Sequence, residues 1–262
     1  MIKRSPHASP QVALPGIIGG LGPLAHIEFE CRLVEWGVRY GARHDQDHPV
    51  WIVINATNTP DRTQSLNGDT ESCTPWLVRY GRQLEAAGAN FLVVTCNSAH
   101  GFYQDVQAQL SIPWLNLMDC TAHRIQAQWP SVRRVGVLAT DGTIRMGLYN
   151  RSLSQVGLMP LHPELNSPIQ NQIMQAIYAP AWGIKSSGVW VSEAALNAVE
   201  GAIEWLHDQG AELVIMGCTE LSVAIAKFKS SPLPWIDPLD VVAKLTLDLA
   251  YGHCHLQSIL VA

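Results

Sequence analysis

The chain builds one device twice. An apolar, β-type run from Phe91 to Thr95 ends on Cys96 and gives way to Asn97, Ser98, Ala99 and His100. A second run from Leu213 to Gly217 ends on Cys218 and gives way to Thr219 and Glu220. The two copies align without a gap, because Gly88-Ala89 stands as far before Cys96 as Gly210-Ala211 stands before Cys218. Downstream, Pro113-Trp114-Leu115-Asn116 is matched by Pro234-Trp235-Ile236-Asp237, one residue closer. Upstream, Gly16 and Gly22 have the spacing of Gly136 and Gly142. The sequence therefore reads as a duplicated α/β unit with a cysteine at the same strand end in each half.

A duplication of this kind in 262 residues predicts two domains. Residues 1–117 with 239–262 form the first and carry Cys96; residues 118–238 form the second and carry Cys218. A 47% apolar composition is enough for a sizeable core, and a net charge of -5 without a basic run argues against nucleic-acid binding. No apolar stretch is long enough to span a membrane. Residues 1–10 read as a short disordered lead without the apolar core of a signal peptide. Six scattered cysteines in a chain of this size suggest a reducing cytoplasm rather than a disulfide scaffold.

Strand and helix alternate along the whole chain, which predicts parallel sheets with helices on both faces. Val12 to Gly19 is the first strand, and Pro23 opens a helix with Ile27, Cys31, Leu33, Val34 and Val38 on its apolar stripe. Val50 to Ala56 is a strand, 57–62 a polar loop, and 70–87 a helix stopped by Gly88. One helix follows Cys96 to about Leu110. Trp114 to Met118 is a short strand and Thr121 to Trp129 a helix. The second half repeats the scheme: strand 132–140, a helix from Asp141 to about Gly157, a strand at 159–162 and a helix over 168–178. A loop carrying Lys185 leads to a Ser192-capped helix with Ala195, Val199, Ile203 and Leu206 on one side. After Cys218 come a helix to about Phe228, a strand at Trp235-Ile236 and a helix from Pro238 to Tyr251. In parallel sheets ligands collect beyond the carboxyl ends of the strands, where both cysteines lie.

A thiol at a strand end with a helix behind it faces unpaired amides and a positive dipole, and both favour a thiolate. Cys31, Cys73, Cys120 and Cys254 read as small hydrophobes; Cys96 and Cys218 do not, because each stands where an apolar run gives way to polar residues. Two thiols across a pseudo-twofold axis suit inversion at a carbon: one removes a proton and the other returns one to the opposite face, without a cofactor. Metal binding competes poorly, since neither cysteine has a C-x-x-C partner or a histidine at ligand spacing. His253-Cys254-His255 reads as coincidence. Gly20-Leu21-Gly22-Pro23-Leu24-Ala25 fits a dinucleotide fingerprint, yet the next strand ends in Asn55-Ala56-Thr57 rather than a ribose-binding acid. The glycine loop instead suits close approach to a small anion. Asn97, Ser98 and Thr219 either hold a carboxylate or simply cap helices. Arg62 and Lys185 are either solvated loop charges or a clamp on a second carboxylate. His100 reads as a structural histidine, and Glu220 either tunes Cys218 or caps the helix behind it.

These segments together resemble the cofactor-independent aspartate/glutamate racemase superfamily over nearly the whole chain. The resemblance is carried by Gly19 to Ala25, Pro60-Asp61-Arg62-Thr63, Cys96 to His100, Leu138 to Thr143, Gly183-Ile184-Lys185-Ser186 and Gly217 to Leu221. It is closer to aspartate racemases. Glutamate racemases have an Asp-Ser pair where Leu21-Gly22 stands and a histidine where Glu220 stands. The resemblance implies two pseudo-symmetric Rossmann-like (flavodoxin-like) α/β domains with the active site in the cleft between them, often as a homodimer. It implies that Cys96 and Cys218 are the acid/base thiols and that Arg62 and Lys185 recognise the side-chain carboxylate of a small dicarboxylic amino acid. Asn97, Ser98 and Thr219 would hold its α-carboxylate or amino group, with Leu21 and Asn58 lining the pocket and no metal or cofactor. His26, where the family usually has Thr or Ser, and Asn55 to Asn58 depart from the pattern. Within the same fold, a decarboxylase or isomerase with one working cysteine is the nearest alternative. A non-catalytic dicarboxylate-binding module is the other.

Overall fold

The computed structural model describes residues 11–225, 227–228 and 231–256. The expected disordered lead, residues 1–10, lies outside them. In the first half, β1 (Pro15–Gly19) feeds α1 (Pro23–Arg39), then come β2 (Ile52–Asn55), α2 (Arg62–Asn67), α3 (Thr74–Ala86), β3 (Phe91–Val94) and α4 (Tyr103–Gln107). The chain continues through α5 (Leu117–Gln128), β4 (Arg134–Ala139), α6 (Asp141–Arg145), α7 (Leu148–Gln155), β5 (Met159–Leu161), α8 (Pro168–Tyr178) and α9 (Glu193–Asp208). It closes with β6 (Leu213–Gly217), α10 (Thr219–Ile225), β7 (Trp235–Ile236) and α11 (Pro238–Ala250).

The strands make two parallel sheets, ordered β2-β1-β3 and β5-β4-β6-β7. A lone parallel bridge from Leu92 to Trp114 occupies in the first sheet the place that β7 takes in the second. The two sheets thus share one winding order, with the order reversing beside β1 in one and β4 in the other. Ligands of doubly wound sheets bind at that reversal, and β3 and β6 both end there.

Alternate residues of each strand go to different cores, as a pleated strand requires. Ile17, Val93, Val137 and Ile215 point into a core common to both sheets, together with Phe29 and Leu33 of α1, Ile125 of α5 and Val242 and Leu247 of α11. Their neighbours Ile18, Leu92 and Val94 face α3, while Leu138, Val214 and Met216 face α8 and α9. The helix α11 is held to α1 by Trp36 Nε1 donating to Asp240 at 2.8 Å and by Tyr40 Oη donating to Asp248.

Several sequence expectations need correction. On α1, Ile27, Cys31, Val34 and Val38 are exposed, and the buried line is Ala25, Phe29, Leu33 and Gly37. Two apolar stripes run down this helix, and the sheet and α11 select the one carrying the larger side chain, Phe29. The polar loop at 57–62 ends in α2, capped by Asp61, whose carboxylate accepts the Gln64 N–H at 3.0 Å, and stopped by Gly68 at φ +84°. The helix expected from 70 starts only at Thr74. The expected strand at 114–118 is the single bridge, because Asn116 caps α5 by accepting from Met118 N–H and Asp119 N–H. The helix expected over 141–157 is two, broken at Gly147 with φ +59°. Behind Cys96 stands a 3-10 turn, Ser98–Phe102, before α4.

Candidate active site

Cys218 follows β6 directly and Cys96 stands two residues beyond β3; they are 6% and 7% exposed, so both are buried at strand ends. The turn from β1 into α1 touches both sides: Arg62 binds its Leu21 carbonyl and Glu220 lies against Gly22. Gly20 has φ +79°, and a Cβ there would strike Asn55, so the turn requires glycine. His26 Nδ1 accepts the Gly20 N–H at 3.1 Å. Burial lowers the His26 pKa and keeps that acceptor neutral, which gives this departure from the family pattern a structural purpose.

The Cys218 side is built around an ion pair whose carboxylate, Glu220, is buried. Glu220 receives Lys185 Nζ on one carboxylate oxygen and the Cys218 thiol on the other, with Sγ at 3.0 Å. Thr219 Oγ1 approaches the same oxygen at 3.4 Å. The carboxylate reaches from the second half to the start of α1 in the first. A Cβ on Gly22 would run into it, so this position is kept bare by contact rather than by backbone angle. Burial raises the Cys218 pKa well above an ordinary thiol, and the neighbouring Glu220 charge adds to the effect. Burial alone would raise Glu220 and lower Lys185; their mutual attraction overrides it, holding Glu220 low and Lys185 high. Lys185 also lies over the Tyr178 ring at 5.5 Å.

The Cys96 side is built around Arg62, the first residue of α2. Its terminal nitrogens donate to the carbonyls of Thr59 at 3.3 Å and Pro60 at 2.9 Å, and to that of Leu21. Its Nε is buried and has no hydrogen-bond partner. Burial tends to lower the Arg62 pKa, but the adjacent Cys96 and Asp61 outweigh it and hold the guanidinium firmly charged. Asn97 Oδ1 accepts the Tyr149 hydroxyl at 2.6 Å, while its Nδ2 is buried without a partner. Ser98 Oγ meets Thr140 Oγ1 at 2.8 Å and Thr143 Oγ1 at 3.0 Å, tying the two halves together.

The structure brings together Cys218, Thr219 and Lys185 on one side, and Cys96, Arg62, Asn97, Ser98 and the Leu21 carbonyl on the other. Lys185 reaches the first half as well, since a Cβ on Gly22 would come within 3.3 Å of its Nζ. Asn58 is exposed, and its side-chain oxygen accepts the Tyr80 hydroxyl. Arg62 and Lys185 are not free loop charges: Arg62 is half-buried and bound to three carbonyls, and Lys185, though exposed as a residue, is paired through its ammonium with Glu220. The expected helix dipole at Cys96 is only a 3-10 turn, and at Cys218 burial and Glu220 outweigh it. His100 is structural: Nδ1 sits 2.9 Å from the Cys96 carbonyl and Nε2 takes the Leu117 N–H at 3.2 Å. Tyr149, Tyr178, Thr140 and Thr143 were not singled out from sequence. The two threonines lie in the strand-end segment 138–143 that mirrors the glycine loop, which is a usable signal; the tyrosines leave none. Among the described residues no cluster of three or more His, Cys, Asp or Glu could hold a metal ion.

A family model described as Asp/Glu/hydantoin racemase matches residues 18–246 of this chain. The chain belongs to that racemase family. It is 26% identical to the broad-specificity amino-acid racemase RacX of Bacillus subtilis, over 90% of this chain and 98% of the relative. Among solved structures it is similar to the aspartate racemase of Picrophilus torridus, with 25% identity, a TM-score of 0.77 and coverage of 92% and 94% of the two chains. A putative Asp/Glu racemase from Yersinia pestis shares the fold at a TM-score of 0.73, with 24% identity and coverage of 91% and 99%. The racemase is therefore an isomerase of the two-sheet α/β type.

Proposed function

We propose that this racemase interconverts L- and D-aspartate by moving protons between the substrate's α-carbon and the two thiols, Cys96 and Cys218. The observation that carries the reading is the pair of buried cysteines at equivalent strand ends, Cys96 and Cys218, the second donating to a Glu220 carboxylate that Lys185 holds. All six cysteines are free, as thiol chemistry requires. One sulfur, as thiolate, takes the α-proton: the Cα–H bond breaks, an S–H bond forms, and the electron pair spreads toward the α-carboxylate. The opposite thiol then gives its proton to the other face of the carbon and becomes the thiolate. Arg62 Nε and Asn97 Nδ2 supply two buried donors beside Cys96 for the substrate's carboxylates, and Lys185 supplies the cation on the other side. We place the enzyme as a homodimer in the cytoplasm.

Aspartate rather than glutamate is supported by the likeness to an aspartate racemase and by Leu21-Gly22 and Glu220 standing where glutamate racemases differ. A further methylene in so closed a site is worth about tenfold or more in kcat/KM. Chiral chromatography of aspartate and glutamate incubated with the purified protein tests this: aspartate reaches the racemic mixture at least about ten times faster. Equal rates would support the broad specificity named for the Bacillus subtilis relative and overturn the aspartate assignment.

A further inference from the structure

The two thiols occupy equivalent places in the fold but not in charge. Cys96 lies beside an arginine whose Nε is unpartnered. Cys218 donates to a carboxylate that is itself anchored by Lys185 and walled by Gly22, so the carboxylate cannot swing away without leaving its counterion. An anion that accepts a hydrogen bond from a thiol favours the protonated sulfur, because a thiolate there would face a second negative charge at contact. We propose that Glu220 is a positioning residue that fixes Cys218 as the proton-donating thiol of the resting site, leaving Cys96 to take the first proton. The inference rests on the two-thiol reading above.

Among the described residues, the polar and titratable groups around Cys218 are Glu220 and Thr219 from α10, Lys185 from the segment between α8 and α9, Tyr178 from the end of α8 and Tyr149 from α7. Lys185 is the only cation in that set, and Glu220 holds it. Removing the carboxylate charge therefore removes the repulsion and releases the lysine toward the sulfur. Both effects favour the thiolate. Removing Lys185 instead leaves the repulsion unopposed. Opposite shifts from the two members of one ion pair are a signature that general loosening of the site would not give.

The test is alkylation of each cysteine by iodoacetamide as a function of pH, read peptide by peptide by mass spectrometry, in the wild type, Glu220→Gln and Lys185→Met. Cys218 of the wild type is alkylated only at alkaline pH. Glu220→Gln lowers its midpoint so that Cys218 alkylation near neutral pH rises about tenfold or more, and Lys185→Met raises the midpoint. A midpoint unmoved in Glu220→Gln, or moved the same way in both variants, overturns the inference. Because alkylation needs no turnover, that failure is separate from failure of the racemase reading, which would appear as wild-type protein that racemises no acidic amino acid.

Discussion

Arg62 commits its two terminal nitrogens to backbone carbonyls, which fixes the direction of its remaining N–H. A lysine carries the charge but cannot hold three carbonyls and still present a donor. Arg62→Lys is therefore expected to lower kcat/KM for aspartate about a hundredfold, measured by coupled or chiral assay, while the protein stays folded. His100 makes the opposite kind of prediction. Burial pulls its pKa from 6.5 to about 4, and its hydrogen bonds suit the neutral ring. The unfolded chain therefore binds a proton near pH 6.5 that the folded chain refuses. The stabilising contribution is intact above that pH and is lost as pH falls toward 4, by roughly 3 kcal/mol. Urea denaturation at both ends of that window measures it, and His100→Phe flattens this part of the pH dependence. Sequence alone read His100 as a structural histidine. It left Glu220 open between tuning Cys218 and capping, because only the fold shows that Lys185, distant in the chain, lands on the same carboxylate.

The element α2 sets Arg62 in place, since Arg62 is its first residue and Asp61 its cap. Asp61→Ala frees the Gln64 N–H and is expected to cost about 1 kcal/mol in denaturant unfolding. It also raises KM for aspartate, because the helix start that carries the guanidinium frays. This helix was invisible in the sequence for a clear reason: Arg62 to Asn67 shows no apolar periodicity, and the cap beside Pro60 reads equally well as a turn. The α1 stripe was right at Leu33 and wrong at its other four positions, for the converse reason. Two apolar lines were present, at Ile27, Cys31, Val34 and Val38 and at Ala25, Phe29 and Leu33, and periodicity cannot say which one meets a partner. The strands were more legible. Both cysteine strands and β4 lie where the Val/Ile-rich runs placed them, because a fully buried parallel strand has little alternative. The turn before α1 yields a further prediction. Gly22→Ala pushes a methyl into the Glu220 carboxylate, so racemisation falls about tenfold or more even though the backbone angle at Gly22 suits any residue.

At the scale of the whole molecule, the duplication legible in the sequence becomes two sheets of one winding order that meet through a common core. Ile17 and Val93 of one sheet and Val137 and Ile215 of the other contribute to it, with α1, α5 and α11 packed among them. Sequence could show the repeat but not this joining, which depends on which strand faces α11 covers. Halves built on one core should not melt apart. Phe29→Ala, which empties a large buried side chain at that junction, is expected to cost about 3–5 kcal/mol and to move a single calorimetric transition rather than split it. The same joining sets Ser98 against Thr140 and Thr143 and Glu220 against Gly22, so that each cysteine-bearing strand end contacts the other half. The most direct test follows the α-proton of each aspartate enantiomer by NMR in deuterated buffer with Cys96→Ala and Cys218→Ala. Each variant is expected to lose racemisation by about a thousandfold or more, yet still to exchange the α-proton of one enantiomer, a different one for each variant. Undiminished racemisation in either variant, or exchange of both enantiomers by one remaining thiol, would contradict the account.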